Sequence, residues 1–160
     1  MKKLIVLMLI MLVMTTQAFG VGSSVISDPV RLYGNVTAYG NMYIVTMTFT
    51  ADASDGSFPP VTMTESQASD LKGYWLTHVK VDPGTPGPAE NSDITVKWGI
   101  TDILGANGAN IVDNAANGFC TLKGSDGGAP WPMTGEALTV GITNNDVNSA
   151  TVEVQLVFDK

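Results

Sequence analysis

Apolar and polar residues alternate with period two through most of the chain, the pattern of strands with one buried face. In the segment from Asn41 to Thr50, Tyr43, Val45, Met47 and Phe49 share one face, with Thr46, Thr48 and Thr50 on the other. Residues 30–38 are placed to pair with this strand across the turn-like Tyr39-Gly40-Asn41, giving a first hairpin. Residues 51–60 form a Gly, Ser, Asp and Pro loop ending in Pro59-Pro60, where strand pairing has to stop. One short helical turn is expected between Thr64 and Lys72.

Alternation resumes from Tyr74 to Val81, with Trp75, Thr77, Val79 and Val81 on one side and Tyr74, Leu76, His78 and Lys80 on the other. The three-proline stretch from Asp82 to Ser92 is a connection. Residues 93–101 then place Ile94, Val96, Trp98 and Ile100 inward. Residues 102–118 are small and polar, with at most a short helix near Ile111 to Ala116, and residues 119–123 make a short strand. After a Gly-rich loop at 124–128, the chain closes on a hairpin. Leu138, Val140 and Ile142 line one strand, and Val152, Val154, Leu156 and Phe158 the other, with the turn at 144–149.

No helical period is sustained, and strands recur every ten to twenty residues. This predicts an all-β fold, an antiparallel β-sandwich or jelly-roll-like domain of six to seven strands. No internal repeat is visible, which argues against a propeller or solenoid.

Residues 1–20 stand apart. Lys2 and Lys3 precede an eleven-residue apolar run from Leu4 to Met14, and Ala18 and Gly20 occupy the −3 and −1 positions of a cleavage site, with Thr16 and Ala18 as an alternative. This is the pattern of a secretory signal peptide. The rival is a retained anchor, but the run falls short of the roughly 20 apolar residues of a spanning helix. The expected organisation is a cleaved leader over 1–20 and a single β-sandwich domain over 21–160, with no stable membrane span once the leader is gone. No Cys follows the apolar run as a lipid attachment point.

Composition narrows the function classes. The 160 residues carry 8 Lys plus Arg and 15 Asp plus Glu; removing the leader's two lysines takes the net charge from −7 to −9. Charged residues are only 14% of the chain, against about 25% in an average domain, and Gly, Asn, Ser and Thr fill the gap. With no basic cluster to neutralise phosphates, nucleic acid is not an expected partner. Cys120 is the one cysteine, which leaves no intramolecular disulfide. It reads as a small apolar strand residue, with an intermolecular bridge as the alternative.

Constellations for catalysis do not assemble. His78 is the single histidine, on a strand face, and no Ser sits in a Gly-x-Ser-x-Gly elbow. Asp93 and Asp102 flank one strand at opposite ends and read as turn caps. Asn144, Asp146 and Asn148 copy the start of a calcium loop, but Ser149 stands where Gly is wanted and Gln155 where the bidentate Glu should be. A polar turn explains them, and neither a metal nor a cofactor is expected. Asn35-Val36-Thr37 matches the glycosylation sequon, a pattern common by chance. Trp75 and Trp98 read as core. Trp131, between two prolines, reads as the exposed aromatic: a ligand anchor, a subunit contact or a cover over one end of the fold.

From about Leu71 to Phe158 an ordered set of short motifs is present: Gly73-Tyr74, Asp82-Pro83-Gly84, Ser92-Asp93-Ile94-Thr95-Val96, the run from Asp102 to Asn110 (DILGANGAN), Leu138-Thr139-Val140, and an Asn-rich turn before Thr151-Val152. In that order they resemble small β-rich accessory and structural proteins of tailed-bacteriophage virions. The resemblance covers a little over half the chain. It implies capsid decoration or a tail-associated role, and brings no catalytic residues.

Two function classes follow. The first is a non-enzymatic structural subunit of a phage virion or phage-like particle, working as a homo-oligomer or with other virion subunits. The leader, which virion assembly in the cytoplasm does not require, supports the second: a secreted bacterial surface subunit or adhesin binding glycans through Trp131. Location is accordingly the virion, or the cell surface and exterior after export. A secreted hydrolase is the least supported class. Ordered assembly without ligand distinguishes the first reading, and a sugar-binding monomer the second.

Overall fold

The structure, a computed structural model, describes residues 20–28, 30–32, 42–122 and 130–160. The expected leader, the first turn at Tyr39-Gly40-Asn41, the sequon and the Gly-rich loop at 124–128 lie outside the described residues.

Among the described residues there are eleven strands in two antiparallel sheets. In chain order these are β1 (Ser23–Ile26), β2 (Val30–Leu32), β3 (Met42–Thr50), β4 (Val61–Thr62), β5 (Trp75–Pro83), β6 (Asp93–Trp98), β7 (Thr101–Asp102), β8 (Gly118–Thr121), β9 (Trp131–Pro132), β10 (Leu138–Thr143) and β11 (Thr151–Asp159). The larger sheet runs β1-β3-β11-β5-β8, with β2 also on β3 and β9 also on β5; the smaller runs β4-β10-β6-β7. Seven strands have four residues or more. The other four are two- or three-residue pairings, too short to leave an alternation in the sequence.

The inward positions of both sheets merge into one core. Val45, Met47 and Phe49 from β3 meet Val152, Val154, Leu156 and Phe158 from β11, with Ile94 and Val96 from β6 and Leu138, Val140 and Ile142 from β10. Full burial of each such side chain is worth about 1.5–3 kcal/mol relative to exposure. The fold is the antiparallel, nearly all-β sandwich that the alternation predicts.

The short helix α1 (Glu65–Asp70) forms where expected, because Thr64 and Gln67 make a capping box. The Gln67 amide N–H donates to Thr64 Oγ1 at 3.2 Å and the Thr64 N–H to Gln67 Oε1 at 2.9 Å. Gln67 Nε2 then donates to the Ser27 carbonyl and Asp28 Oδ1, both at 3.2 Å, tying the helix to the segment after β1.

Four expectations need correction. First, the period-two phase of β5 breaks. His78 pairs with Val157 but Leu76, not Thr77, pairs with the next residue, Phe158. Thr77 is the extra residue of a bulge, so Leu76 and Val79 both point into the core, and Trp75 is turned out, 41% exposed. Second, Ile100 is fully exposed. It is the second residue of a two-residue hairpin loop between Trp98 and Thr101, where Gly99, at φ +60°, supplies the positive angle a tight hairpin turn needs.

Third, β10 and β11 do not form the closing hairpin. β10 pairs with β4 and β6, β11 with β3 and β5, so residues 144–150 cross from the smaller sheet to the larger. Two strands with alternating faces and a polar turn between them look the same whether they pair or cross the core. Fourth, residues 111–116 are not helical. Val112 makes an isolated bridge with Ser92, and the one helical turn of this region is a 3-10 turn at Gly105–Gly108.

Candidate functional site

The crossing between the sheets is held by Asn145. Its Nδ2 donates to the Gly56 carbonyl at 2.5 Å and to the Val147 carbonyl at 3.1 Å, while Oδ1 accepts from the Ala89 N–H at 2.7 Å and the Val147 N–H at 3.4 Å. One amide thereby ties together three loops. The calcium-like residues around it serve the same turn. Asn144 Nδ2 donates to Asp93 Oδ2 at 2.6 Å, and Asn144 and Ser149 both take left-handed angles, φ +63° and +57°. Ser149 adopts this conformation where a calcium loop would place Gly. Among the described residues no three His, Cys, Asp or Glu side chains group as metal ligands.

Asp93 and Asp102 cap turns, as their flanking positions predict. Asp93 Oδ1 accepts the Asn110 N–H at 2.8 Å, and Asp102 Oδ1 the Leu104 N–H at 3.1 Å. Cys120 is buried on β8, and burial pushes its thiol above the ordinary value, which disfavours the reactive thiolate.

His78 lies on the outer face of the larger sheet, half-buried, with its ring 5.2 Å from that of Phe119. Its Nδ1 is 2.9 Å from Thr77 Oγ1, which in turn lies 3.0 Å from Asp159 Oδ2 and 3.2 Å from the Val157 carbonyl. The carboxylate therefore engages the hydroxyl, not the imidazole. This order pins the bulge; in a relay that activates a hydroxyl, the carboxylate orients the histidine.

The register makes the outer face a set of cross-strand rows, because residues opposite each other project to the same side. One row reads Val25, Thr48, Glu153, Asp82 from β1 to β5; the next reads Thr46, Gln155, Lys80, Phe119 from β3 to β8. Lys80 Nζ contacts Asp82 Oδ2 at 2.6 Å, and Gln155 Nε2 donates to Glu153 Oε1 at 2.8 Å. Three of these eight residues are charged: Lys80 pairs with Asp82 and Glu153 accepts from Gln155, while the second oxygen of Asp82, Oδ1, is buried without a hydrogen-bond partner among the described residues. Val25 and Phe119, at 65% and 60% exposure, stand on the two outermost strands of the β1-β3-β11-β5-β8 path.

Trp75, read as core, is exposed, whereas Trp98 and Trp131 are both half-buried and packed against the core. Trp131 pairs with Leu76, whose side chain is in the core, and so projects between the sheets. There it meets Trp98 of the opposite sheet edge-on, ring centroids 5.5 Å apart. Trp131 is half-buried, covering one end of the sandwich. Trp75 is the exposed indole, and it lines a groove of about 290 Å³ with Thr77, Pro130, Asp159 and Lys160. Only the bulge at Thr77 could have revealed this, and nothing in the local alternation marks it.

No protein-family model matches the chain, and comparison with curated proteins finds no match. Among solved structures, the acidic stable capsid of Helicobacter pylori bacteriophage KHP30 contains a chain with a TM-score of 0.41 and 13% identity, covering 87% of this chain and 93% of its own. A chain of the cyanophage Pam1 capsid gives 0.31 and 14%, covering 88% and 86%. A low-affinity xylan-binding module from Roseburia intestinalis gives 0.30 and 14%, covering 88% and 96%.

Proposed function

We propose that the protein is a non-enzymatic structural subunit of a phage virion or phage-like particle, assembling through the outer face of its larger sheet. The observation that carries this reading is the makeup of that face. Five strands at about 4.8 Å spacing give a surface roughly 19 Å across. Its two rows carry two Thr and one Gln beside three charged residues, of which Lys80 pairs with Asp82 and Glu153 accepts from Gln155, and exposed Val25 and Phe119 stand at its two margins. Internal pairing makes such a face less costly to desolvate than one of isolated charges. The ordered motifs between Leu71 and Phe158 support the virion setting. Repetition of a weak contact around a symmetric assembly turns it into a stable one.

Replacing Val25 and Phe119 together by Lys tests the proposal. The double variant should keep the far-ultraviolet circular dichroism of the parent and lose its high-mass assembly in light scattering. Assembly unchanged in the folded variant would overturn the assignment of this face.

A further inference from the structure

We propose that the groove beside Trp75, at one end of the same outer sheet face, binds the face of a neutral pyranose sugar. The bulge at Thr77 creates it by reversing the phase of β5, which sends an indole outward at the end of the strand beside Asp159 of β11. The C–H face of a pyranose is apolar and stacks on an aromatic ring, while the hydroxyls around its rim need donors and acceptors.

The groove supplies both kinds of partner. Trp75 is the aromatic surface. Asp159 Oδ2 is engaged by the Thr77 hydroxyl, which fixes the carboxylate, and Oδ1 has no hydrogen-bond partner among the described residues. Lys160 is exposed, its Nζ 5.5 Å from the centre of the Tyr74 ring at the same end of the sheet, and it carries three N–H donors. One acid and one base side by side favour a neutral ligand, since a strongly charged one meets a like charge. The volume of about 290 Å³ lies just under the range of about 300–1,000 Å³ for drug-sized pockets, which suits one ring at the site. A carboxylate already held in place reduces the ordering cost of binding.

Oxidation of the native protein with N-bromosuccinimide, followed by peptide mapping, reads each tryptophan separately in any assembly state. Glucose, galactose and N-acetylglucosamine are the probes, each titrated to on the order of 10 mM, the range of weak single-ring contacts. At least one should protect Trp75 saturably and leave the reactivity of Trp98 and Trp131 unchanged. Asp159→Asn, checked for an unchanged circular dichroism spectrum, should raise the midpoint of protection about tenfold, as loss of a charged hydrogen-bond acceptor does. Three results would each overturn the site: no protection by any of the sugars, protection equally strong in Asp159→Asn, or Trp75 already shielded without sugar, which would mean a neighbouring copy fills the groove.

Discussion

Trp98 and Trp131 meet edge-to-face across the open end of the sandwich, their ring centres 5.5 Å apart and one ring on each sheet. The pair links β6 to the two-residue strand β9, whose pairing with β5 (Trp75 with Pro132, Leu76 with Trp131) is continued by the backbone bonds of buried Met133 to Gly73 and Tyr74. The contact therefore fixes a sheet margin as well as filling space.

Trp131→Ala should lower unfolding free energy by about 3 kcal/mol, the low end for Trp or Phe truncation in a core, because the ring is half-buried. Trp98→Ala should cost a similar amount. The double variant should lose less than the sum, by about 0.5–1.5 kcal/mol, the worth of an aromatic pair beyond its buried area. Urea denaturation of the four proteins measures this, and strict additivity would mean that the rings do not support each other.

Asn145→Ala removes one side chain and unties three loops at once, since its amide reaches Gly56, Ala89 and Val147. A loss of about 1–3 kcal/mol is expected from the stranded backbone groups. Asn145→Asp keeps the acceptor for the Ala89 N–H but sets a carboxylate oxygen against the Gly56 and Val147 carbonyls, and should lower the urea midpoint at least as far as the Ala variant does.

Asp52 gives the stability a defined acid dependence. The Ser54 hydroxyl and amide, at 2.5 and 2.7 Å, hold its carboxyl below the ordinary value of 3.8. A carboxyl with a lowered folded value contributes stability above its unfolded value and loses it as pH falls through the folded one. The stability difference between the parent and Asp52→Asn should accordingly be present at neutral pH and shrink steadily below about pH 3.8. A difference that stays constant from pH 7 to pH 2 would show that the Ser54 contacts do not act through the charge.

The sandwich was legible in the sequence because its long strands alternate cleanly. Val45, Met47 and Phe49 in β3, and Val152 to Phe158 in β11, are inward as their spacing predicts. What was hidden has two physical sources. One is the single-residue insertion: the bulge at Thr77 shifts phase without altering residue types, and it reassigns Trp75 from core to groove and brings Leu76 inward. The other is partner choice. Strands β10 and β11 carry the signals of a hairpin, yet each pairs with distant strands of a different sheet, and the contacts of Asn145 that hold the crossing are equally remote in sequence. Two of the glycines also become intelligible only in three dimensions. A Cβ on Gly84 would come within 1.9 Å of Thr151 Oγ1, and one on Gly108 within 2.1 Å of the Ile94 carbonyl. Both mark close approaches within the fold, away from the groove and the outer face.

A domain that works as a repeated subunit has to assemble on its own. Light scattering of the purified native protein, with intact-mass spectrometry of the same sample to define the chain present, tests it most directly. The expected result is an ordered assembly of many chains that persists without any added ligand. A protein that stays monomeric on concentration to the millimolar range would contradict it.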